Sequence, residues 1–176
     1  MNRKINLQMF AETVHGKKIA YLYRLLKDAA TAAATHVAFT TENSVSMSRD
    51  ADTIATKDGS VRAPGEVEIE ITTTALLAVG DEMLDKLKKA LISGEKVEIW
   101  KVNLAEKGAS ENKFKATYYQ GYVTEFEETS NAEDHVECSL TFGVEGTGAD
   151  GEATVSETQQ EMIELYGFTD TTKQGA

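Results

Sequence analysis

The chain has 176 residues, 41% of them apolar, a single cysteine and a formal charge of −11, with a pI of about 4.8. That length supports one domain with a real core plus terminal arms, not two full domains. The acidity excludes a protein that grips phosphate backbones over a broad surface, the lone Cys138 excludes an intrachain disulfide, and the lack of a membrane-length apolar run or a secretory leader pattern in residues 1–12 fits a chain folded in a cytoplasm with no membrane partner.

Residues 1–16 show no period and read as an N-terminal arm, with Ile5, Leu7, Met9 and Phe10 apolar enough to dock on the domain or on a neighbouring copy. From Lys17 to Lys27, Ile19, Tyr21, Tyr23 and Leu25 alternate as in a strand, while Ile19, Leu22, Tyr23 and Leu26 would line a helix. The aromatic content favours the strand. The Ala-rich stretch from Asp28 to Thr35 is a loop or a short helical turn. Val37 to Val61 is polar and long for a connection, and with Asp58-Gly59 near its end it reads as a projecting β-hairpin or a binding loop. Pro64-Gly65 marks entry to a strand over Glu66–Thr74, in which Val67, Ile69 and Ile71 alternate with Glu66, Glu68 and Glu70.

The clearest helix follows Leu76-Leu77. Asp81 caps it, Leu84, Leu87 and Leu91 form its stripe, and Gly94 ends it. Lys96 to Val102 is a strand with both faces covered, since Val97 and Ile99 oppose Trp100 and Val102. After a loop over Ala105–Asn112 comes the strongest signal, a hairpin over Lys115–Glu145. Val136, Cys138, Leu140, Phe142 and Val144 alternate with polar residues, and Tyr118, Tyr122 and Phe126 supply a matching apolar side across the turn-forming run 129–134. Pairing Phe126 with Val136 superimposes the apolar faces and sets Glu125 opposite Glu137, a like-charge pair tolerated on a solvated face. Gly146 to Glu157 reads as a connector, and Gln159 to Phe168 as a short apolar segment carrying Met162, Ile163, Leu165, Tyr166 and Phe168. The β domain therefore spans residues 17–146, with a linker and C-terminal arm at 147–176.

Nothing in the chain asks to be an active site. Gly146-Thr147-Gly148-Ala149-Asp150-Gly151 matches G-x-G-x-x-G, but Asp150 puts a negative charge where a pyrophosphate would sit and no helix opens inside the motif. His15, His36 and His135 lack partners at zinc-ligand spacing. Asp50, Asp52 and Asp58 resemble parts of a calcium loop, yet Ile54 and Ala55 stand where a ligand and the invariant glycine belong. No cofactor, metal or catalytic residue is assigned.

Taken in order, Tyr21-Leu22-Tyr23-Arg24, Ser48-Arg49-Asp50-Ala51-Asp52 with Thr56-Lys57-Asp58-Gly59, Gly80-Asp81, Gly121-Tyr122-Val123-Thr124 with Ser130-Asn131-Ala132-Glu133-Asp134, and Leu140-Thr141-Phe142 with Val144-Glu145-Gly146 form a series. The chain so marked resembles the major tail (tail tube) proteins of long, non-contractile-tailed bacteriophages, the TP901-1-like branch, over residues 17–168. The resemblance implies a mainly β fold, a β-sandwich or partly rolled barrel with one flanking helix. It also implies a structural virion protein that forms six-fold rings stacked into a tube, encloses the tape-measure protein, meets a tail terminator and conducts DNA without binding it specifically. The stretch holding Ser48, Arg49, Asp50, Asp52 and Lys57 would reach a neighbouring subunit or ring. A lumen that passes DNA should be acidic, so one of two faces, Glu125/Glu127/Glu137 or Glu66/Glu68/Glu70, is expected to line it and the other to lie outside. A monomeric β-sandwich adhesion or ligand-binding module would show the same strands and the same lack of catalytic groups.

Overall fold

The computed structural model describes residues 13–164; the proposed anchors Ile5, Leu7, Met9 and Phe10, and Leu165, Tyr166 and Phe168, lie outside them. The strands are β1 (Ile19–Leu25), β2 (Thr40–Thr56), β3 (Gly59–Leu76), β4 (Lys96–Lys107), β5 (Lys113–Thr129) and β6 (Glu137–Thr154), with α1 (Glu82–Ser93) between β3 and β4 and α2 (Glu157–Glu164) after β6. Among the described residues they form a six-stranded sheet in the order β1-β4-β5-β6-β3-β2, antiparallel at every rung.

The sheet curls. Tyr23 on edge strand β1 stacks on Phe142 of β6, with ring centroids 5.4 Å apart. Its hydroxyl meets Thr73 Oγ1 of β3 at 2.5 Å and donates to Asn43 Oδ1 of β2 at 3.3 Å. One edge thus folds over toward the other and encloses a core of Tyr21, Tyr23, Ile69, Ile71, Val97, Ile99, Val123, Leu140 and Phe142. Helix α1 seals it with Met83, Leu84, Leu87 and Ala90. The helix starts where the sequence predicts. Asp81 Oδ1 accepts from the Met83 and Leu84 amides at 3.0 and 3.1 Å, satisfying orphan donors of the first turn. Its Oδ2 takes the Ala38 amide at 2.9 Å, tying the helix to the segment before β2. Gly94 closes the helix in the left-handed conformation, φ +68°.

The β5–β6 hairpin exists, but its register differs from the sequence expectation. Phe126 faces Leu140, not Val136, and Val123 faces Phe142, with an irregularity between Val123 and Glu125. The connection is therefore wider than 129–134, and the bulge changes which residues point inward. After it Phe126 packs on the core; before it Val123 and Tyr119 do. Tyr118 and Tyr122 consequently lie on the other face, beside Trp100 and Lys96.

The supposed connector is also strand. Ala149, Asp150 and Gly151 pair with Tyr118, Thr117 and Ala116, so the Gly-rich motif is a ladder segment and β6 runs past residue 146. A second irregularity, opposite Tyr119, is built from Gly146 and Gly148, at φ +70° and +77°. A Cβ on Gly148 would sit 2.6 Å from a Tyr119 ring carbon, which only glycine avoids. Beyond the strand, Ser156 and Gln159 cap α2 reciprocally: the Gln159 amide donates to Ser156 Oγ at 3.2 Å and the Ser156 amide to Gln159 Oε1 at 3.1 Å. Gln159 Nε2 donates to the Ala34 carbonyl at 2.8 Å, and Ile163 joins Ala20, Leu22, Val102, Phe114 and Val155 in a second, smaller core on the outer face of the sheet.

Candidate functional site

Strand alternation sends Ile69 and Ile71 into the core and Glu66, Glu68 and Glu70 to the opposite face, where all three are exposed. In β6, Cys138, Leu140 and Phe142 point in, so Glu137, Ser139, Thr141 and Glu145 point out. Past the bulge, Glu125 and Glu127 of β5 face Thr141 and Ser139. Because β6 lies between β5 and β3, both acidic trios stand on one side of one sheet, the side away from α1. The sequence expectation set one trio inside a tube and the other outside it; the ladder puts them together.

Register also removes the expected like-charge contact. Glu125 faces Thr141, Glu137 faces Thr129 and Glu70 faces Gly143, so each carboxylate has a small or hydroxyl partner across the rung. Direct opposition of like charges in a ladder is destabilising, and the wider turn avoids it. Lys96 is seated at the border of this surface, donating to Glu145 Oε2 at 2.5 Å with its ammonium 5.4 Å from the Tyr122 ring. The Glu145 carboxylate raises the Lys96 pKa.

Further along the same face lies a buried polar group. Arg24 Nε donates to Glu98 Oε2 at 2.7 Å and stacks 5.0 Å over Trp100. The Tyr118 hydroxyl donates to Glu98 Oε1 at 2.6 Å and accepts from Gln120 Nε2 at 2.6 Å. Glu98 is 5% exposed, so this set of bonds satisfies a carboxylate that burial alone would penalise. Burial, then the bond to Glu98, raises the Tyr118 pKa. The only sequence sign was a glutamate inside a strand covered on both faces.

The second feature is an arm. The last rung between β3 and β6 is Ile69–Val144, whereas β2 and β3 stay paired out to Thr56–Gly59. Eight further rungs therefore run on without β6, a two-stranded arm of some 30 Å at ~3.3 Å per residue. Of the alternatives left open, hairpin or binding loop, the chain adopts the hairpin. Ser48, Arg49, Asp50, Asp52 and Lys57 all lie on it and are exposed. Ser48 faces Glu68, Arg49 faces Val67, and Asp50 sits against Gly65 at a bulge. Lys57 is in the terminal turn. The structure brings these five onto one arm, whose root also carries Glu66 and Glu68, with Ser48 opposite Glu68 and Arg49 opposite Val67 between them; Glu70 and the Glu125/Glu127/Glu137 trio lie in the sheet proper.

Among the described residues no cluster of three or more His, Cys, Asp or Glu could hold a metal ion, and no helix is long and apolar enough to cross a membrane.

A curled antiparallel sheet with a flanking helix and a long hairpin arm places the molecule in the class of tail-tube folds. The same fold occurs in the tail tube of phage SPP1, with a TM-score of 0.70 at 20% identity, covering 93% of this chain and 95% of that one. It recurs in the tail of an empty gene transfer agent particle solved with C6 symmetry, TM-score 0.59 at 11% identity, covering 82% and 100%. Residues 13–150 match the family model of phage tail tube proteins. A putative tail protein of Staphylococcus phage phiMR25 is 35% identical over 147 residues, which span 81% of this chain and 76% of that protein. A tail tube protein of Bacillus phage SPP1 is 26% identical over 139 residues, 79% of this chain but only 52% of its relative, so the alignment spans about half of that protein. The chain belongs to the phage tail tube protein family. It is a structural component of the virion tail, a role that calls for surfaces rather than an active site and separates it from the ligand-binding modules its sequence also allowed.

Proposed function

We propose that copies of this chain close into six-fold rings that stack into a hollow tube, that the tube encloses a tape-measure protein during assembly and is closed by a terminator, and that it later conducts DNA into a host. Ring closure and stacking both require heterologous contacts between different patches of identical copies. The arm with Ser48, Arg49, Asp50, Asp52 and Lys57 provides one such patch. The six-fold symmetry of the gene transfer agent tail, which shares the fold, supports the ring.

The observation that carries the reading is the gathering of Glu66, Glu68, Glu70, Glu125, Glu127 and Glu137 on one exposed sheet face. A polyanion passes quickly along an acidic wall whose cations are already engaged, as Lys96 is by Glu145 and Arg24 by Glu98, because each free lysine or arginine contact releases counterions and binds. Both trios then line the lumen together. Reversing either trio to lysine shifts each copy by about six charge units, and DNA ejection from assembled particles is expected to slow or stall in both variants. A control with Glu82→Lys and Asp85→Lys, on α1 at the far side of the core, should eject normally. Normal ejection from trio variants whose tubes are intact removes the lumen assignment.

A further inference from the structure

Across four strands the acidic face is a lattice of carboxylates and hydroxyls. From β2 through β3 and β6 to β5, one row is Glu42, Thr74, Ser139 and Glu127, and the next is Ser44, Thr72, Thr141 and Glu125. A third row, Ser46, Glu70, Gly143 and Tyr122, ends on a ring that has the Lys96 ammonium 5.4 Å from its centroid. At ~4.8 Å between strands and ~3.3 Å per residue along them, the lattice measures roughly 15 by 13 Å. None of its positions holds an aliphatic side chain, a lysine or an arginine.

The hydroxyls of this lattice are unlike most others in the chain. Thr40 bonds to the Val37 carbonyl at 2.8 Å, Thr56 to that of Gly59 at 2.7 Å and Ser93 to that of Lys89 at 3.0 Å. Among the described residues, the hydroxyls of Ser44, Thr72, Thr74, Ser139 and Thr141 have no such partner, so each leaves a donor and two acceptor lone pairs to water. Strand preference does not account for them, since valine would serve at Thr72, Thr74 and Thr141 as well as threonine does, and serine is not among the strand-favouring residues. A valine lattice of the same size would be an apolar patch of about 200 Å² per copy, and copies closed in a ring would join such patches into an adhesive belt.

We infer that the hydroxyl rows hold a continuous film of water on the wall and make it non-adhesive to a polypeptide as well as to DNA, a role that rests on the lumen reading. Carboxylates repel phosphates, but charge alone does not release a polypeptide, whose cations they attract and whose apolar side chains settle on exposed methyl groups. Hydroxyls set between the carboxylates keep water bound across the gaps, and displacing that water with an apolar group forfeits its hydrogen bonds. One wall thus lets go of two cargoes of different chemistry, first the tape-measure protein and then DNA.

Thr72→Val, Thr74→Val and Thr141→Val combined keep side-chain shape and strand preference while removing three hydroxyls. Tubes of this variant should form, and its stability to urea should not fall. Particles built from it are expected to lose DNA ejection, with protein other than the tube chain still inside the triggered tails by mass spectrometry. The serine set, Thr72→Ser, Thr74→Ser and Thr141→Ser, should eject and empty normally. Ejection and emptying at the unsubstituted rate from the valine particles, or arrest of the serine set as well, overturns the film. If the triple valine variant does not assemble, single Thr72→Val and Thr141→Val variants carry the same readout. The lysine-substituted trios judge the lumen separately: arrest there with normal ejection from the valine set strikes only the film, whereas normal ejection from both strikes the lumen and the film with it.

Discussion

The two left-handed glycines of β6 offer a matched pair of substitutions. Gly146 and Gly148 have nearly the same φ, +70° and +77°, but a Cβ at Gly146 meets nothing within 4 Å, whereas at Gly148 it lies 2.6 Å from Tyr119 Cε1 and 3.1 Å from the Tyr118 carbonyl oxygen. Tyr119 is 3% exposed and cannot swing away. Gly146→Ala therefore carries only the left-handed penalty, about 1–2 kcal/mol. Gly148→Ala adds overpacking of about 1–3 kcal/mol, for a total of about 2–5 kcal/mol. Urea unfolding of the unassembled chain, followed by far-UV circular dichroism, reads both values. For a domain of this size each 1 kcal/mol also lowers Tm by about 2–4 °C. If residues 146–151 were a free connector, both alanines would be neutral or slightly stabilising through the unfolded state. Equal and negligible effects would refute the bulge, and with it the extension of β6 past the acidic face.

Removing the phenol that pins the curl, Tyr23→Phe, leaves Thr73, fully buried, with one partner fewer and is expected to cost about 1–3 kcal/mol. Thr73→Val in the same background should add less than it costs alone, as a double-mutant cycle by urea denaturation will show. Burial, aided by Tyr119, lifts the Tyr21 pKa from 10.0 to about 12, and burial shifts Tyr23 the same way. The folded chain then holds protons that the unfolded chain has lost, so stability is full below pH 10 and falls as pH rises from 10 through 12, by up to about 1.4 kcal/mol per pH unit per tyrosine. Tyr23→Phe should flatten that fall in an alkaline denaturation series. Arg24→Met strands Glu98 in a buried setting and is expected to destabilise by about 3–5 kcal/mol. Arg24→Met with Glu98→Met should recover most of that loss by the same urea assay.

Much of the fold was legible because period-2 alternation depends on the strand alone. The outward placement of Glu66, Glu68 and Glu70 follows from Val67, Ile69 and Ile71 whichever neighbour β3 has, and Asp81 and Gly94 mark α1 by local chemistry. Register and adjacency depend on partners and were not legible. Choosing Phe126–Val136 over Phe126–Leu140 assumed a short turn, and both choices keep the apolar sides aligned. The bulge at Val123–Glu125 lies next to a close backbone approach, where a Cβ on Gly121 would be 2.2 Å from the Gly143 oxygen, a contact invisible in one dimension. That both trios share a face requires knowing that β6 separates β3 from β5. The glycines of 146–151 read as punctuation because glycine usually is; here two of them let a strand continue. One missed signal was available: Ser156-Glu157-Thr158-Gln159 fits the capping-box pattern that starts α2.

The acidic face toward the axis is the central claim, and a cryo-EM reconstruction of tubes assembled from the purified chain tests it most directly. The account predicts six copies per ring with Glu66, Glu68, Glu70, Glu125, Glu127 and Glu137 on the inner wall and α1 outside. Tubes with α1 facing the lumen, or with either trio on the outer surface, would contradict it.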